Sequence, residues 1–155
     1  MMALNHAVTG AIIGLSVENP AVALPLAFMS HFALDAIPHY DPPKPQGDVA
    51  LLRSNRFVYE QLVLNGALCI ALVMCLAVVR PRHWLVAAIC AFLATSPDLM
   101  WLPKFLVARR TGRLEVSNNP MLRFHSRIQW LTGPRLIWLE LVWLAGTGAI
   151  LGRLI

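Results

Sequence analysis

The chain has 155 residues, the size of one domain, and 57% of them are hydrophobic while only 14% are charged. Roughly a quarter of the residues of soluble domains are charged, so this composition argues against a soluble globular protein and for an integral membrane protein. The net charge of +5 accompanies no nucleic-acid recognition motif, and we therefore expect no nucleic-acid partner.

The cysteines and the N-terminus narrow the class further. Cys69, Cys75 and Cys90 fall inside apolar runs and lack the spacing of metal-ligand pairs. They are interpreted as small buried hydrophobic residues rather than thiolate ligands. The stretch from Met1 to Leu4 lacks the basic region of a cleavable signal peptide.

The apolar runs predict an all-α, polytopic membrane bundle, with residues 1–155 forming a single membrane-embedded domain of about five membrane helices. The first two helices, over 4–17 and 20–37, are predicted to form a short hairpin because Glu18-Asn19-Pro20 breaks the chain between them. Fourteen residues reach only about 21 Å, short of a ~30 Å hydrocarbon core. The hairpin therefore either spans the membrane, tilted or in a thinned bilayer, or enters the membrane and returns to the same side.

The remaining helices are predicted from apolar runs and their breaks, over 57–79, 83–102 with an interruption at Pro97, and 135–152. Between 103 and 134 the chain is basic and mixed. Within it, Asn119-Pro120 is a typical helix start, and a short surface helix is predicted to turn one side to the membrane through Met121, Leu122, Phe124, His125, Ile128 and Leu131.

Two pairs of glycines predict close contact between helices. Gly10 and Gly14 form a small-residue face on the first helix, and Gly148 and Gly152 form a similar face on the last. Such faces let a neighbouring backbone approach closely in lipid.

The basic residues predict the orientation of the bundle. Ten lie on one side of the predicted topology: Lys44, Arg53, Arg56, Lys104, Arg109, Arg110, Arg113, Arg123, Arg127 and Arg135. Three lie on the other: Arg80, Arg82 and Arg153. Because positive loops stay in the cytoplasm, we expect a multi-pass protein of the cell inner membrane whose N-terminus faces the cytoplasm.

The segment from Ser30 to Asp41 carries the strongest functional pattern. His31 and Asp35 are four residues apart, so on a helix they share a face and can offer a nitrogen and an oxygen to one divalent metal. On a continuous helix His39 would lie about 12 Å from His31. Pro38 disfavours that continuation, so His39 and Asp41 are predicted on a loop that folds back.

Distant parts of the sequence bring further polar residues to the same cytoplasmic leaflet, in a set of seven: His6, His31, Asp35, His39, Asp41, Asp98 and His125. His83 falls on the opposite side and serves as an internal control. Charged residues in a membrane helix cost a few kcal/mol, so several at one depth indicate a shared cation. A polar packing network and a proton relay remain alternatives.

Histidine and aspartate ligands favour zinc, with manganese or iron as further options. The predicted ligands are His6, His31, Asp35, His39, Asp98 and His125. The seven candidate side chains exceed the three or four protein ligands that one zinc usually takes. The site could therefore hold two ions bridged by Asp35 as well as a single ion.

Such a site supports hydrolysis of an ester or phosphoester by water at a metal ion. Asp41 or Asp98 is predicted to accept the proton. Arg53, Arg123 and Arg127 could hold a phosphate group, although ordinary positive-inside charge is the favoured explanation for them.

The His6 helix, the Ser30-His31-xxx-Asp35 pattern, the Pro97-Asp98 pair and His125-Ser126 together resemble the bacterial inner-membrane metal-dependent hydrolases, the group that includes the LexA-regulated inner-membrane protein. The resemblance implies a multi-pass helical protein with a metal site in the cytoplasmic leaflet and hydrolase activity. The motifs that carry the resemblance are short and are distributed over most of the chain.

The chain also departs from that family. Leu99, Met100 and Trp101 stand where the family has a second acid and a histidine, and Arg123-Phe124 replaces part of the family's last motif. His39 and Asp41 would then have to supply the missing ligands.

The preferred interpretation is a membrane-embedded metal-dependent hydrolase acting on a lipid or lipid-linked substrate. Two other classes remain open. A transport or ion-binding protein would need polar residues toward the far leaflet, where the helices offer little beyond Thr9, Ser16 and Asn65. A structural assembly factor would use the same cluster only to lock its helices together.

Overall fold

A computed structural model of the protein describes residues 1–41, 56–111 and 119–155, without the side chains of 56–58, 104, 105, 108 and 109. Arg53 and the proline-rich segment after Asp41 lie outside the described residues. The helices are α1 (Ala3–Ser16), α2 (Pro20–Asp35), α3 (Arg56–Val79), α4 (Trp84–Leu99), α5 (Leu102–Thr111), α6 (Pro120–Ile128) and α7 (Ile137–Leu154). The described chain forms no β-strand, so the all-α prediction is confirmed.

Two segments are long and apolar enough to cross a membrane, Tyr59–Val79 and Pro134–Leu154, each of 21 residues. Both leave large apolar side chains exposed, among them Leu62, Val63, Ile70, Met74, Val78, Trp138, Leu141 and Val142. Continuous apolar surfaces of this kind mark membrane or protein contacts. The other apolar helices, α1, α2 and α4, have only 14 to 16 residues, so five full crossings remain a prediction.

Helix α1 lies at the centre and packs most extensively against α4, with α2, α3 and α7 around it. Glycines make the α1–α4 contact possible. A Cβ atom added to Gly10 would lie 2.4 Å from the carbonyl oxygen of Cys90, and one added to Gly14 would lie 2.6 Å from Cα of Ala87. The close-contact prediction for Gly10 and Gly14 is therefore confirmed.

Among the described residues, the corresponding prediction for α7 is wrong. A Cβ atom added at Gly148 or Gly152 would meet nothing within 4 Å among the described residues. The small residues of α7 lie on a side to which no described helix packs, since its buried positions are Glu140, Thr147 and Leu151.

Two asparagines start helices as the sequence predicts. The side chain of Asn19 accepts a hydrogen bond from the backbone N–H of Ala21 at 3.0 Å at the start of α2. Asn119 accepts one from Met121 N–H at 2.9 Å at the start of α6. Each satisfies a backbone donor that the first turn leaves free.

The buried face of α6 differs from the prediction. Leu122 and His125 are buried, whereas Met121 and Phe124 are exposed and Leu131 lies beyond the end of the helix. Residues three apart share a helix face, so Leu122 and His125 point inward while Met121 and Phe124 face away. Helix α5 was not predicted, because its composition is mixed.

Candidate metal centre

The predicted ligands meet at one end of the bundle. His31 and Asp35 lie in the last turns of α2, Asp98 lies at the end of α4, and His125 lies on α6. The ligand atoms of these four residues all fall within 4.8 Å of one another. This group can hold a metal ion. The convergence inferred from the sequence is thus confirmed for four residues, while the side of the membrane stays a prediction.

Five of the six distances between the ligand atoms are close to those around a tetrahedral ion. Nε2 of His31 lies 3.0 Å from Nε2 of His125 and 3.2 Å from Oδ2 of Asp35. Nε2 of His125 lies 2.7 Å from the same carboxylate oxygen. Both histidine nitrogens lie 3.7 Å from Oδ1 of Asp98. Ligands 2.0–2.1 Å from a tetrahedral zinc are about 3.3 Å apart, so the observed distances lie around that value.

The hydrogen bond of His31 prepares it for metal binding. Its Nδ1 lies 2.8 Å from the carbonyl oxygen of Ala94, which can only accept, so Nδ1 carries the proton and donates. In the neutral ring, Nε2 then presents a lone pair toward Nε2 of His125 at 3.0 Å and toward the carboxylates of Asp35 and Asp98. Acceptors this close repel one another unless a proton or a cation lies between them. A divalent cation would satisfy all four groups at once.

His125 has the opposite arrangement. The indole N–H of Trp101, which is only a donor, lies 3.2 Å from Nδ1 of His125. This hydrogen bond favours the tautomer with the proton on Nε2, which then donates to Oδ2 of Asp35 at 2.7 Å. For His125 to ligate through Nε2, that proton must leave and the Trp101 contact must change.

The second oxygen of Asp35 faces a different set of groups. Its Oδ1 lies 2.9 Å from the α-amino group of Met1, 3.2 Å from Nε2 of His6 and 3.9 Å from Nε2 of His39. Its Oδ2 also accepts a hydrogen bond from the amide of Gln129 at 2.9 Å. Asp35 is thus the centre of the site, with each oxygen directed to a separate group of partners.

The loop after α2 folds back as the sequence predicts. The backbone of His39 pairs with the segment before α7: its N–H donates to Leu131 O at 3.3 Å and its carbonyl accepts from Gly133 N–H at 3.2 Å. Nδ1 of His39 donates to the carbonyl of Ile37 at 2.7 Å. Burial, followed by the nearby N-terminal charge, lowers the pKa of His39. The ring is therefore held neutral with a free lone pair on Nε2.

Access to the site differs between its members. The side chain of Asp98 is 35% exposed, whereas those of His31, Asp35 and His125 are at most 2% exposed. A small molecule would therefore reach the site past Asp98, at the end of α4.

The other predicted residues lie outside this four-residue group. The carboxylate of Asp41 accepts a hydrogen bond from the hydroxyl of Thr132 at 3.5 Å. Arg123 and Arg127 are exposed on α6, and the structure gives them no contact with the four ligands. Arg53, which was predicted to bind phosphate, lies outside the described residues. The control residue His83 is exposed just before α4, at the opposite end of that helix from Asp98.

The sequence analysis missed Glu140. This carboxylate is 1% exposed and accepts hydrogen bonds from Asn5 Nδ2 at 2.6 Å and from the backbone N–H groups of Met2 and Tyr40, each at 3.1 Å. It thereby connects α7 to the start of α1, next to His6, and to the residue after His39. One acid in the apolar run 135–152 was the available signal.

Gln129 and Trp101 were missed as well, because each reaches the site only through tertiary packing.

Comparison with protein-family models, curated proteins and solved structures finds no match to this chain. The case for the site therefore depends on its own geometry.

Proposed function

We propose that the protein is a membrane-embedded hydrolase that uses one divalent metal ion, with zinc preferred, bound by His31, Asp35, Asp98 and His125. The observation that carries this proposal is the convergence of the four ligand atoms: Nε2 of His31 lies 3.0 Å from Nε2 of His125 and 3.2 and 3.7 Å from carboxylate oxygens of Asp35 and Asp98. Nitrogen and carboxylate donors at tetrahedral spacing suit zinc, and manganese or iron would accept the same ligands.

A bound divalent ion supplies a reactive water at neutral pH and stabilises the charge that develops on an acyl or phosphoryl oxygen. The protein's own residues define where this happens. Asp35 and the histidines are shielded from solvent and fix the centre. Asp98, as the most exposed member, stands at the opening, and its free oxygen is suited to accept the proton released by the attacking water.

The surroundings favour a lipid or lipid-linked ester or phosphoester as substrate. The site lies at the end of a bundle whose outer surface is largely apolar, so a substrate with an acyl chain could remain in the membrane while its polar group reaches Asp98. Arg123 and Arg127 lie on the exposed side of α6 and are proposed to attract an anionic head group. The resemblance to inner-membrane metal-dependent hydrolases supports the same reaction class and a cytoplasmic orientation.

The test is hydrolysis of a fluorogenic lipid phosphoester by the purified full-length protein in detergent micelles. We expect activity that is lost after treatment with a chelator, returns with zinc, and is absent from His31→Gln. The matched control is His83→Gln, which removes a histidine far from the site and should keep full activity. Equal turnover by His31→Gln and the wild type would contradict the proposal.

One observation favours a second candidate, a metal-free polar cluster that only locks the helices together. The Trp101–His125 hydrogen bond favours a protonated Nε2 on His125, which pairs with Asp35 without any ion. In that case, chelation would leave both the metal content and the thermal stability unchanged.

A further inference from the structure

We propose that Oδ1 of Asp35 binds a second divalent cation together with His6 and His39, so that Asp35 bridges two ions. This inference rests on the proposed function, since the first ion uses Oδ2 of the same carboxylate. It adds a site beyond the four residues of the candidate metal centre.

His6 provides the first argument. The residue is fully buried, and within the described part of the chain neither of its ring nitrogens has a hydrogen-bond partner. Its Nε2 nevertheless lies 3.2 Å from Oδ1 of Asp35, without the alignment of a hydrogen bond. Leaving a buried polar atom unpaired costs about 1–3 kcal/mol. A cation between the two atoms would satisfy both.

His39 provides the second argument from the other side. Because its Nδ1 donates to Ile37 O at 2.7 Å, its Nε2 presents a lone pair to Oδ1 of Asp35 at 3.9 Å. Ligands of a tetrahedral zinc are about 3.3 Å apart, so a shared ion requires the His39 ring to move roughly 0.6 Å toward Asp35. A direct hydrogen bond is excluded for the neutral ring because both atoms are then acceptors.

The α-amino group of Met1 shows that this oxygen attracts positive charge, since it lies 2.9 Å from Oδ1. A second ion would displace this group or gain it as a neutral ligand. The rival explanation is that the ammonium group is the only cation on this side of Asp35.

Two ions joined by one carboxylate would narrow the substrate class. Paired ions roughly 3.5–4 Å apart clamp both the attacking and the leaving oxygen of a phosphoryl group. A two-ion site at Asp35 thus favours a phosphoester over a carboxylic ester as the bond that is cleaved.

The experiment is a titration of the metal-stripped full-length protein with cobalt(II), followed by visible absorption and by elemental analysis. We expect two equivalents per chain for the wild type and one for His6→Gln and for His39→Gln. His31→Gln should lose the first equivalent, and His83→Gln should retain both. Glutamine keeps the bulk and polarity of the buried histidine, and circular dichroism of each variant verifies that it is folded.

The outcomes separate the two proposals. One equivalent in the wild type that survives in His6→Gln and His39→Gln but not in His31→Gln would overturn the second site and leave the first intact. No cobalt bound by the folded wild type would overturn both.

Discussion

Substituting Gly10 by alanine tests the helix contact on which the site is built. The new Cβ atom would lie 2.4 Å from the carbonyl oxygen of Cys90 and 2.8 Å from Cβ of Ala94, whereas ordinary contacts begin at 3.4 Å. Helices α1 and α4 would have to separate by roughly 1 Å, enough to lose a quarter to a half of each packing contact. Overpacking of this kind costs about 1–3 kcal/mol.

The same displacement would disturb the metal centre. Helix α1 carries His6, while α4 carries Asp98 and the carbonyl of Ala94 that orients His31. Sites of this type tolerate displacements of only about 0.5 Å. We therefore expect weaker metal binding by Gly10→Ala together with its lower stability.

The assay is unfolding in mixed micelles, with Gly66→Ala as the matched control. A Cβ atom at Gly66 meets nothing within 4 Å in the described chain, so that variant should gain up to about 1 kcal/mol from helix propensity. Because both substitutions gain the same helix propensity, the two variants should differ by roughly 1–3 kcal/mol in their free energy of unfolding, which is the cost of overpacking. Equal stability of both would refute the close α1–α4 contact.

Three further substitutions probe individual residues. Asp98→Asn should lower the metal affinity, measured by competition with a chelating dye, by more than the roughly 10–100-fold that the loss of an outer hydrogen-bond partner costs. Unchanged affinity would remove Asp98 from the ligands. Trp101→Phe should leave metal affinity equal or higher, because it frees Nδ1 of His125 to carry the proton; a tenfold loss in the same assay would contradict this. Glu140→Ala should destabilise the protein by at least ~2 kcal/mol, since three N–H donors lose their acceptor, the buried amide of Asn5 and the partly buried backbone groups of Met2 and Tyr40. Glu140→Gln keeps an acceptor oxygen and should cost less; equal melting of the two variants would argue against this role.

Local chemistry explains which features could be predicted from the sequence. The starts of α2 and α6, the end of α2 before Pro38 and the small face of α1 all depend on a few neighbouring residues, and each is found in the structure. The convergence of His31, Asp35, Asp98 and His125 could be predicted by alternating the direction of each successive helix across the membrane, which requires only the order of the helices.

The features that were missed depend on tertiary packing. Glu140 was one acid in an apolar run, and only the fold shows that it holds the starts of two segments next to His6 and His39. Trp101 stood out in the sequence only as a departure from the family's motif, yet the hydrogen bond of its indole favours one tautomer of His125. On α7 a helix contact was predicted that the described residues do not make, because a pattern of small residues does not reveal whether a neighbouring helix packs there.

The most direct test of the central claim is elemental analysis of the purified, folded protein beside Asp35→Asn. Our account predicts bound divalent metal in the wild type and little or none in Asp35→Asn, because this carboxylate contacts every histidine of the site. Equal metal content in the two proteins, or none in the folded wild type, would contradict it.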